Sequence, residues 1–290
     1  MELRTIGKKD RPAVLLLAGK DWEAEAVAAA LKGLKKDYRL LIPVFEAEEA
    51  AGADLSALED DLMRDCAGTL WGAYGLNDGA EELLALLDRD KVRIRTRVVE
   101  GAFTPPEGGE ADPGELRCWT GSKDKAGKST LAALRARGGH VAALTLKRLP
   151  KGKSTLSYCP GTAADQMKKA FGEAICVSRS TVLPAGKEQV RRLLSAGPDE
   201  RESSRLDRAE PLRTERDGDT LIYEGRSAAL PVWHHTIRLE STGKGLTRCT
   251  DQILFRADED NKGMKRTVKR YLIYLQLSRS LSLMRAGNAL

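Results

Sequence analysis

Residues Ala13 to Ala18 form a short unbroken apolar run, which predicts a strand buried on both faces. The Ala-rich stretch from Trp22 to Leu34 then has helical spacing, and Tyr38 to Phe45 returns to a strand pattern. The alternation continues. Leu55 to Asp65 predicts a helix, Thr69 to Tyr74 a strand and Ala80 to Leu87 a helix. Val92 to Val99 and Leu116 to Thr120 read as strands, Ser129 to Ala136 as a helix, and Val141 to Leu146 as a strand. Strands separated by helices of this length imply βαβ crossovers and a mostly parallel sheet, so residues 1–172 are expected to be α/β.

The rhythm changes after Phe171-Gly172. Ile175 to Leu183 is a strand, and Pro184-Ala185-Gly186 turns into a helix from Lys187 to Ala196. Thr220 to Glu224, Val232 to Glu240 and Leu246 to Arg256 are strands, the last two joined by a hairpin signal at Gly243-Lys244-Gly245. A long helix from Met264 to Arg285 follows, so residues 173–290 read as a separate α+β domain.

Composition narrows the class. The 290 residues contain 41% hydrophobic positions, an ordinary globular content, and no apolar run of about 20 residues that would span a bilayer. The five cysteines (Cys66, Cys118, Cys159, Cys176 and Cys249) are odd in number and widely spaced. They make neither a disulfide framework nor a metal-binding pair, and with no secretory signal pattern at Met1 they predict reduced thiols in a cytoplasmic protein. Nothing in the pattern calls for a metal or a cofactor.

Charge is uneven. Residues 1–172 carry 27 basic and 26 acidic side chains, whereas 173–290 carry 21 and 16, so the net +6 sits almost wholly in the second half. Aromatics make up 5%, and no stretch interleaves them with Arg or Lys, which argues against nucleic acid as the partner.

Thr69 to Ala80 predicts a strand, a glycine-flanked turn and a helix, and the turn reads Gly75-Leu76-Asn77-Asp78-Gly79. This matches G-x-S-x-G, the nucleophile elbow that lifts a serine above a sheet edge, except that Asn stands at the serine position. Here residues 1–172 resemble the α/β-hydrolase family. The resemblance extends through "GKKDRPAVLLLAGKDW", "YRLLIPVFEAEE", "VRIRTRVVEGAFTPP", "LRCWTGSKDKAGKSTLAALRARGG" and "LKRLPKGKSTLSYCP". It implies a triad acid at Asp124, a histidine position at Lys153 or Lys151, and oxyanion amides from Asp78 and from Lys20 or Asp21. An Asn amide is not a nucleophile, and a lysine does not shuttle protons near neutral pH as imidazole does. The interval from Glu100 to Glu115, rich in Gly and Pro, is also too short for the family's helical cap. The resemblance therefore implies a scaffold without triad or cap. His140 begins a strand at the wrong edge to replace the base, and Asp78 reads as a first-turn acid favoured by its helix dipole.

Residues 121–130 (GSKDKAGKST) approximate a phosphate-binding loop, but Ser122, Asp124 and Lys125 stand where that loop needs glycine. The alternative is a solvated Lys-rich loop at a helix start.

Residues 173–290 resemble the START-like (SRPBCC) helix-grip superfamily, on "ICVSRSTVLPAGKEQVRRLL", "VWHHTIRLESTGKGLTRCTDQILFRA" and the long final helix. The resemblance implies a curved antiparallel sheet around that helix, with a cavity for a hydrophobic small molecule or lipid. Trp233 and His235 share one strand face. The helix offers Val268, Leu272 and Leu275, then Leu277, Leu281 and Met284, as an apolar stripe. Trp233, His235, Leu272 and Leu275 are the expected ligand contacts. Lys262, Lys265, Arg266, Lys269 and Arg270 form the densest basic cluster, suited to an anionic membrane surface or an acidic protein.

The sequence thus predicts a hydrolase-like scaffold fused to a domain that binds a hydrophobic ligand non-covalently. The alternatives it leaves open are an active esterase-like or cyclase-like enzyme with another set of residues, and a nucleotide-binding protein using loop 121–130.

Overall fold

Strand β2 (Ala13–Leu17) is buried at all five positions, as its unbroken apolar run requires. It lies between β3 (Arg39–Val44) and β4 (Thr69–Leu76), parallel to both. β5 (Arg93–Glu100), β6 (Glu115–Gly121) and β7 (Val141–Leu146) extend the parallel sheet, while β1 (Glu2–Ile6) pairs antiparallel with β3 at the other edge. The order is β1-β3-β2-β4-β5-β6-β7. This is the mostly parallel, α/β-hydrolase-like sheet expected from the sequence.

The coordinates are a computed structural model. They describe residues 1–290 except 10, 20–21, 46–54, 67, 90, 106–114, 137–140, 152, 196–210, 218–219, 226–232, 244, 257–262 and 288–290. Most of the expected cap interval and His140 therefore lie outside the described residues. The chain divides into two compact units, Met1–Gly172 and Glu173–Leu290.

Helices cover both faces of the first sheet. Leu58 and Leu62 of α2 (Leu55–Cys66) and Leu83 and Leu86 of α3 (Asp78–Asp88) pack with Leu15, Leu17 and Ala73 on one face. Each such fully buried leucine contributes roughly 1.5–3 kcal/mol. On the other face Gly72 lets Phe171 of α6 (Pro160–Phe171), the helix after the short α5 (Thr155–Tyr158), pack against β4, since a Cβ there would overlap the ring. The sequence reading assigned no element to α6, although its Pro at the first helical position and its buried Ala163, Ala164, Met167, Ala170 and Phe171 are helical signals.

Two helices differ from expectation at their ends. The stretch from Trp22 divides into α1 (Ala24–Ala30) and a 3₁₀ turn, Lys32–Leu34. α4 (Lys125–Ala136) starts four residues early, because the Asp124 carboxylate accepts from the Gly127 N–H at 3.0 Å and caps it.

The second unit has a five-stranded antiparallel sheet in the order β8-β12-β11-β10-β9. Its strands are β8 (Ala174–Leu183), β9 (Pro211–Asp217), β10 (Thr220–Gly225), β11 (Trp233–Gly243) and β12 (Leu246–Arg256), with α7 (Lys187–Ser195) after β8. β9 falls in a polar stretch where the sequence indicated no strand. The long helix α8 (Met264–Gly287) packs Val268, Leu272 and Leu275 against Val177, Ile253 and Phe255 of the sheet, the helix-grip arrangement.

The inner face of α8 then departs from the expected stripe. Gln276, Arg279 and Leu283 turn inward, while Leu277, Leu281 and Met284 are about half exposed. Helical spacing from Val268 through Leu272 and Leu275 leads on to Arg279 rather than Leu277, and a buried carboxylate on β12 holds it there.

Candidate functional site

At the carboxyl end of β4 the chain turns sharply into α3, and Asn77 occupies the turn with φ 50° and ψ −120°. It is the one non-glycine residue with positive φ among the described residues. That conformation lies outside the ordinary allowed regions and is held only where surrounding structure imposes it. The flanking glycines supply that structure. A Cβ on Gly75 would sit 2.6 Å from the Ala80 Cα, and one on Gly79 would run into the Leu17 carbonyl. The chain therefore keeps the backbone of a nucleophile elbow while presenting an amide side chain on it.

Four consecutive strand ends converge there. A cavity of ≈ 190 Å³ is lined by Asn77 after β4, Glu100 at the end of β5 and Gly101 just after it, Trp119 and Gly121 of β6, and Asp124 before α4. Leu149, Lys153 and Ser154 close it from the segment after β7. This is where an open α/β sheet places its ligands, outside the carboxyl ends of its strands. The three positions read from the sequence as a degenerate triad, Asn77, Asp124 and Lys153, all line this one cavity. Lys151 is exposed and is not among the lining residues.

Each triad position does something other than triad chemistry. Asn77 donates its backbone N–H to the Glu100 carbonyl at 2.9 Å, and its side chain makes no capping hydrogen bond. Asp124 is spent on the N-terminus of α4. Lys153 is exposed at the rim. Asp78 is also exposed, as the first residue of α3, so its N–H is one of the orphan donors of a helix start. Lys20 and Asp21, the other expected oxyanion positions, lie outside the described residues.

The sequence reading missed Glu100. The signal was available: it is a carboxylate that follows the apolar pair Val98-Val99 at the end of β5, directly before a glycine. Glu100 is 2% exposed, and its two oxygens accept from the Tyr74 hydroxyl and the Thr155 N–H, both at 2.6 Å. Burial raises its pKa; the Thr155 and Tyr74 hydrogen bonds oppose this, and nearby Asp124 adds to it. The folded chain therefore keeps a proton on Glu100 at pH values where the unfolded chain has released it. Stability falls as pH rises from the ordinary carboxylate value through the raised one. Glu100→Gln keeps an acceptor for Thr155 and removes the titration. Urea unfolding between pH 4 and 8 is expected to show a flatter pH dependence in the variant.

Cys118, on β6, is no substitute nucleophile. Burial pushes its thiol up to about 12, so it stays protonated and unreactive. Loop 121–130 also spends its own donors. The Lys128 ammonium donates to the Ser122 carbonyl at 2.6 Å, and the buried Thr130 hydroxyl donates to Phe103 O at 3.1 Å. With the Gly127 amide bound to Asp124, the loop is closed on an internal carboxylate rather than open as an anion cradle.

In the second unit His235 is 5% exposed, and its Nε2 lies 3.2 Å from Asp251 Oδ1. Asp251 is fully buried on β12 and accepts from Arg279 Nη1 at 2.7 and 2.9 Å and from Gln276 Nε2 at 2.9 Å. Burial pushes the Asp251 carboxyl up, but the His235 hydrogen bond and the Arg279 charge outweigh it and hold the group well below the usual range. Leu272 and Leu275 sit in the packed cluster with Val177, Phe255 and Tyr271. Trp233 starts β11, and its side chain is outside what is described. Lys265, Arg266, Lys269 and Arg270 are exposed along the first turns of α8, and Lys262 lies outside the described residues.

No protein-family model and no curated protein matches the chain. Solved structures similar to it include an α/β-hydrolase family protein from Desulfitobacterium hafniense, with 13% identity and TM-score 0.46, covering 58% of this chain and 99% of that one. A Bacillus cereus carboxylesterase has 15% identity and TM-score 0.45, over 59% and 94%. A START superfamily protein from Mycobacterium smegmatis has 7% identity and TM-score 0.32, over 38% and 98%. The roles of individual residues rest on this chain's own geometry. Among the described residues, no helix is long and apolar enough to cross a membrane.

Proposed function

We propose that the chain is a non-hydrolytic binding protein: an α/β-hydrolase-like unit whose elbow pocket holds a small polar molecule without cleaving it. One observation carries this reading. The cavity at the strand ends keeps the elbow backbone but is lined by Asn77, Asp124 and Lys153, with no hydroxyl nucleophile on the elbow and no imidazole among its lining residues. An amide, a carboxylate committed to capping a helix and an exposed lysine can bind a polar ligand; they cannot pass a proton from nucleophile to leaving group. The START-like unit supplies the second half of the proposal, a site for a hydrophobic small molecule or lipid. The exposed basic face of α8 (Lys265, Arg266, Lys269, Arg270) favours an anionic membrane surface or acidic protein as its surroundings.

A second reading is an active hydrolase that works through Glu100, favoured by that carboxylate lying in the same cavity with a raised pKa. Native mass spectrometry of freshly purified chain tests the binding proposal. A co-purified small molecule is expected, released intact on denaturation and reduced in occupancy by Lys153→Glu. A chain that carries nothing, and gains no melting temperature across a panel of polar metabolites and fatty acids, contradicts it.

A further inference from the structure

The geometry of Asn77 has a chemical consequence apart from ligand binding. At ψ −120° its Cβ and the Asp78 nitrogen are nearly eclipsed about the Cα–C bond. A five-membered imide closed through Cα, C, the Asp78 nitrogen, Cγ and Cβ demands the same eclipsing, because that ring is close to planar. An asparagine in a helix or strand must leave its backbone well to reach this arrangement, whereas folding has already placed Asn77 there.

Three further observations favour ring closure. The Asp78 N–H has no hydrogen-bond partner among the described residues, so no bond need be broken to free it. The Asn77 carbonyl accepts from the Ala80 N–H at 2.8 Å, which draws electron density from the Asn77–Asp78 peptide and makes that N–H more acidic. The reacting atoms also lie at the N-terminus of the eleven-residue α3, where the helix dipole stabilises developing negative charge. The Asn77 side chain is exposed to water and lies over Gly101, whose missing Cβ leaves room for it.

We propose that Asn77 is a site of self-modification. The Asp78 backbone nitrogen attacks Cγ, the N–Cγ bond forms, and the Cγ–Nδ2 bond breaks. The Asp78 amide proton passes to the departing nitrogen, which leaves as ammonia. Water then opens the imide at one of its two carbonyls, giving an aspartyl or an isoaspartyl residue at position 77. Water is the sole co-reactant, and no oxidation state changes. The product places a carboxylate at the elbow, on a cavity that Lys153 also lines.

The test uses the full chain at neutral pH in isotopically heavy water, folded in one arm and unfolded in urea in the other. Peptide mapping that separates aspartyl from isoaspartyl products follows all three asparagines, Asn77, Asn261 and Asn288. Heavy oxygen is expected to enter at position 77 on the order of a hundredfold faster in the folded chain than in urea, the gain of a pre-paid orientation. It is also expected to enter faster there than at Asn261 or Asn288, and Asn77→Gln is expected to leave position 77 unlabelled. Equal labelling of position 77 with and without the fold, or labelling confined to the unfolded chain, overturns the proposal. Either result leaves the ligand-binding proposal untouched, because that rests on the cavity and not on the reactivity of Asn77.

Discussion

Arg279→Met is expected to destabilise the C-terminal unit by about 3–5 kcal/mol, the cost of leaving a buried carboxylate without its cation. Asp251 is fully buried, and a single Arg279 nitrogen contacts both of its oxygens. The His235 and Gln276 contacts satisfy hydrogen bonding but do not replace a permanent positive charge. Hydrogen exchange of β12 and α8 at neutral pH measures the loss within the unit that suffers it.

The pH dependence gives that prediction a sign. In the wild type the folded Asp251 pKa is depressed, so its stabilisation is fully present above the ordinary carboxylate value and is lost as pH falls toward the folded one. Without Arg279 the burial that pushes the carboxyl up is still opposed by the His235 hydrogen bond, but by less than in the wild type. The depression of the Asp251 pKa should therefore shrink in the variant, and the gain in stability with rising pH through the carboxylate range should be smaller than in the wild type. Adding Asp251→Asn to Arg279→Met should recover a large part of the loss, since the stranded charge is gone. Equal destabilisation in the single and double variants would show that packing, not charge, holds the network.

The second large effect concerns the elbow. Asn77→Ser with Lys153→His is expected to raise short-chain ester hydrolysis on the order of a hundredfold over wild type, at the low end of what positioned acid–base catalysis contributes. The backbone needed for this is already present: the strained turn, its glycines and the orphan Asp78 amide of the α3 N-terminus. Each single variant is expected to give almost nothing, because nucleophile and base act as a unit. Asp124 has to serve two masters in this experiment, as the α4 cap and as the histidine's orienting group. Asp124→Asn in the double-variant background keeps a competent cap and should lower the gained activity.

Much of the fold was written in periodicity. β2 and α3 carried unbroken or three-to-four spacing and fell where the pattern put them. The elbow was legible because glycine spacing around a non-glycine residue is a backbone demand and survives loss of the nucleophile. The α6 helix was less visible, since its small Ala163, Ala164 and Ala170 do not mark a face as leucines do. Glu100 and the Asp251–Arg279 pair were hidden for a different reason. A buried charge looks like any surface charge until the partner that pays for its burial is known. For Arg279 that partner lies 28 residues away on another element.

The central claim, that the elbow pocket binds without cleaving, is tested most directly by p-nitrophenyl ester turnover of the freshly purified wild-type chain beside Glu100→Gln and Asp124→Asn. Indistinguishable rates in all three, near the uncatalysed background, are the expected result. Wild-type turnover well above background, abolished by Glu100→Gln or Asp124→Asn, would contradict it and make the pocket an active hydrolytic site.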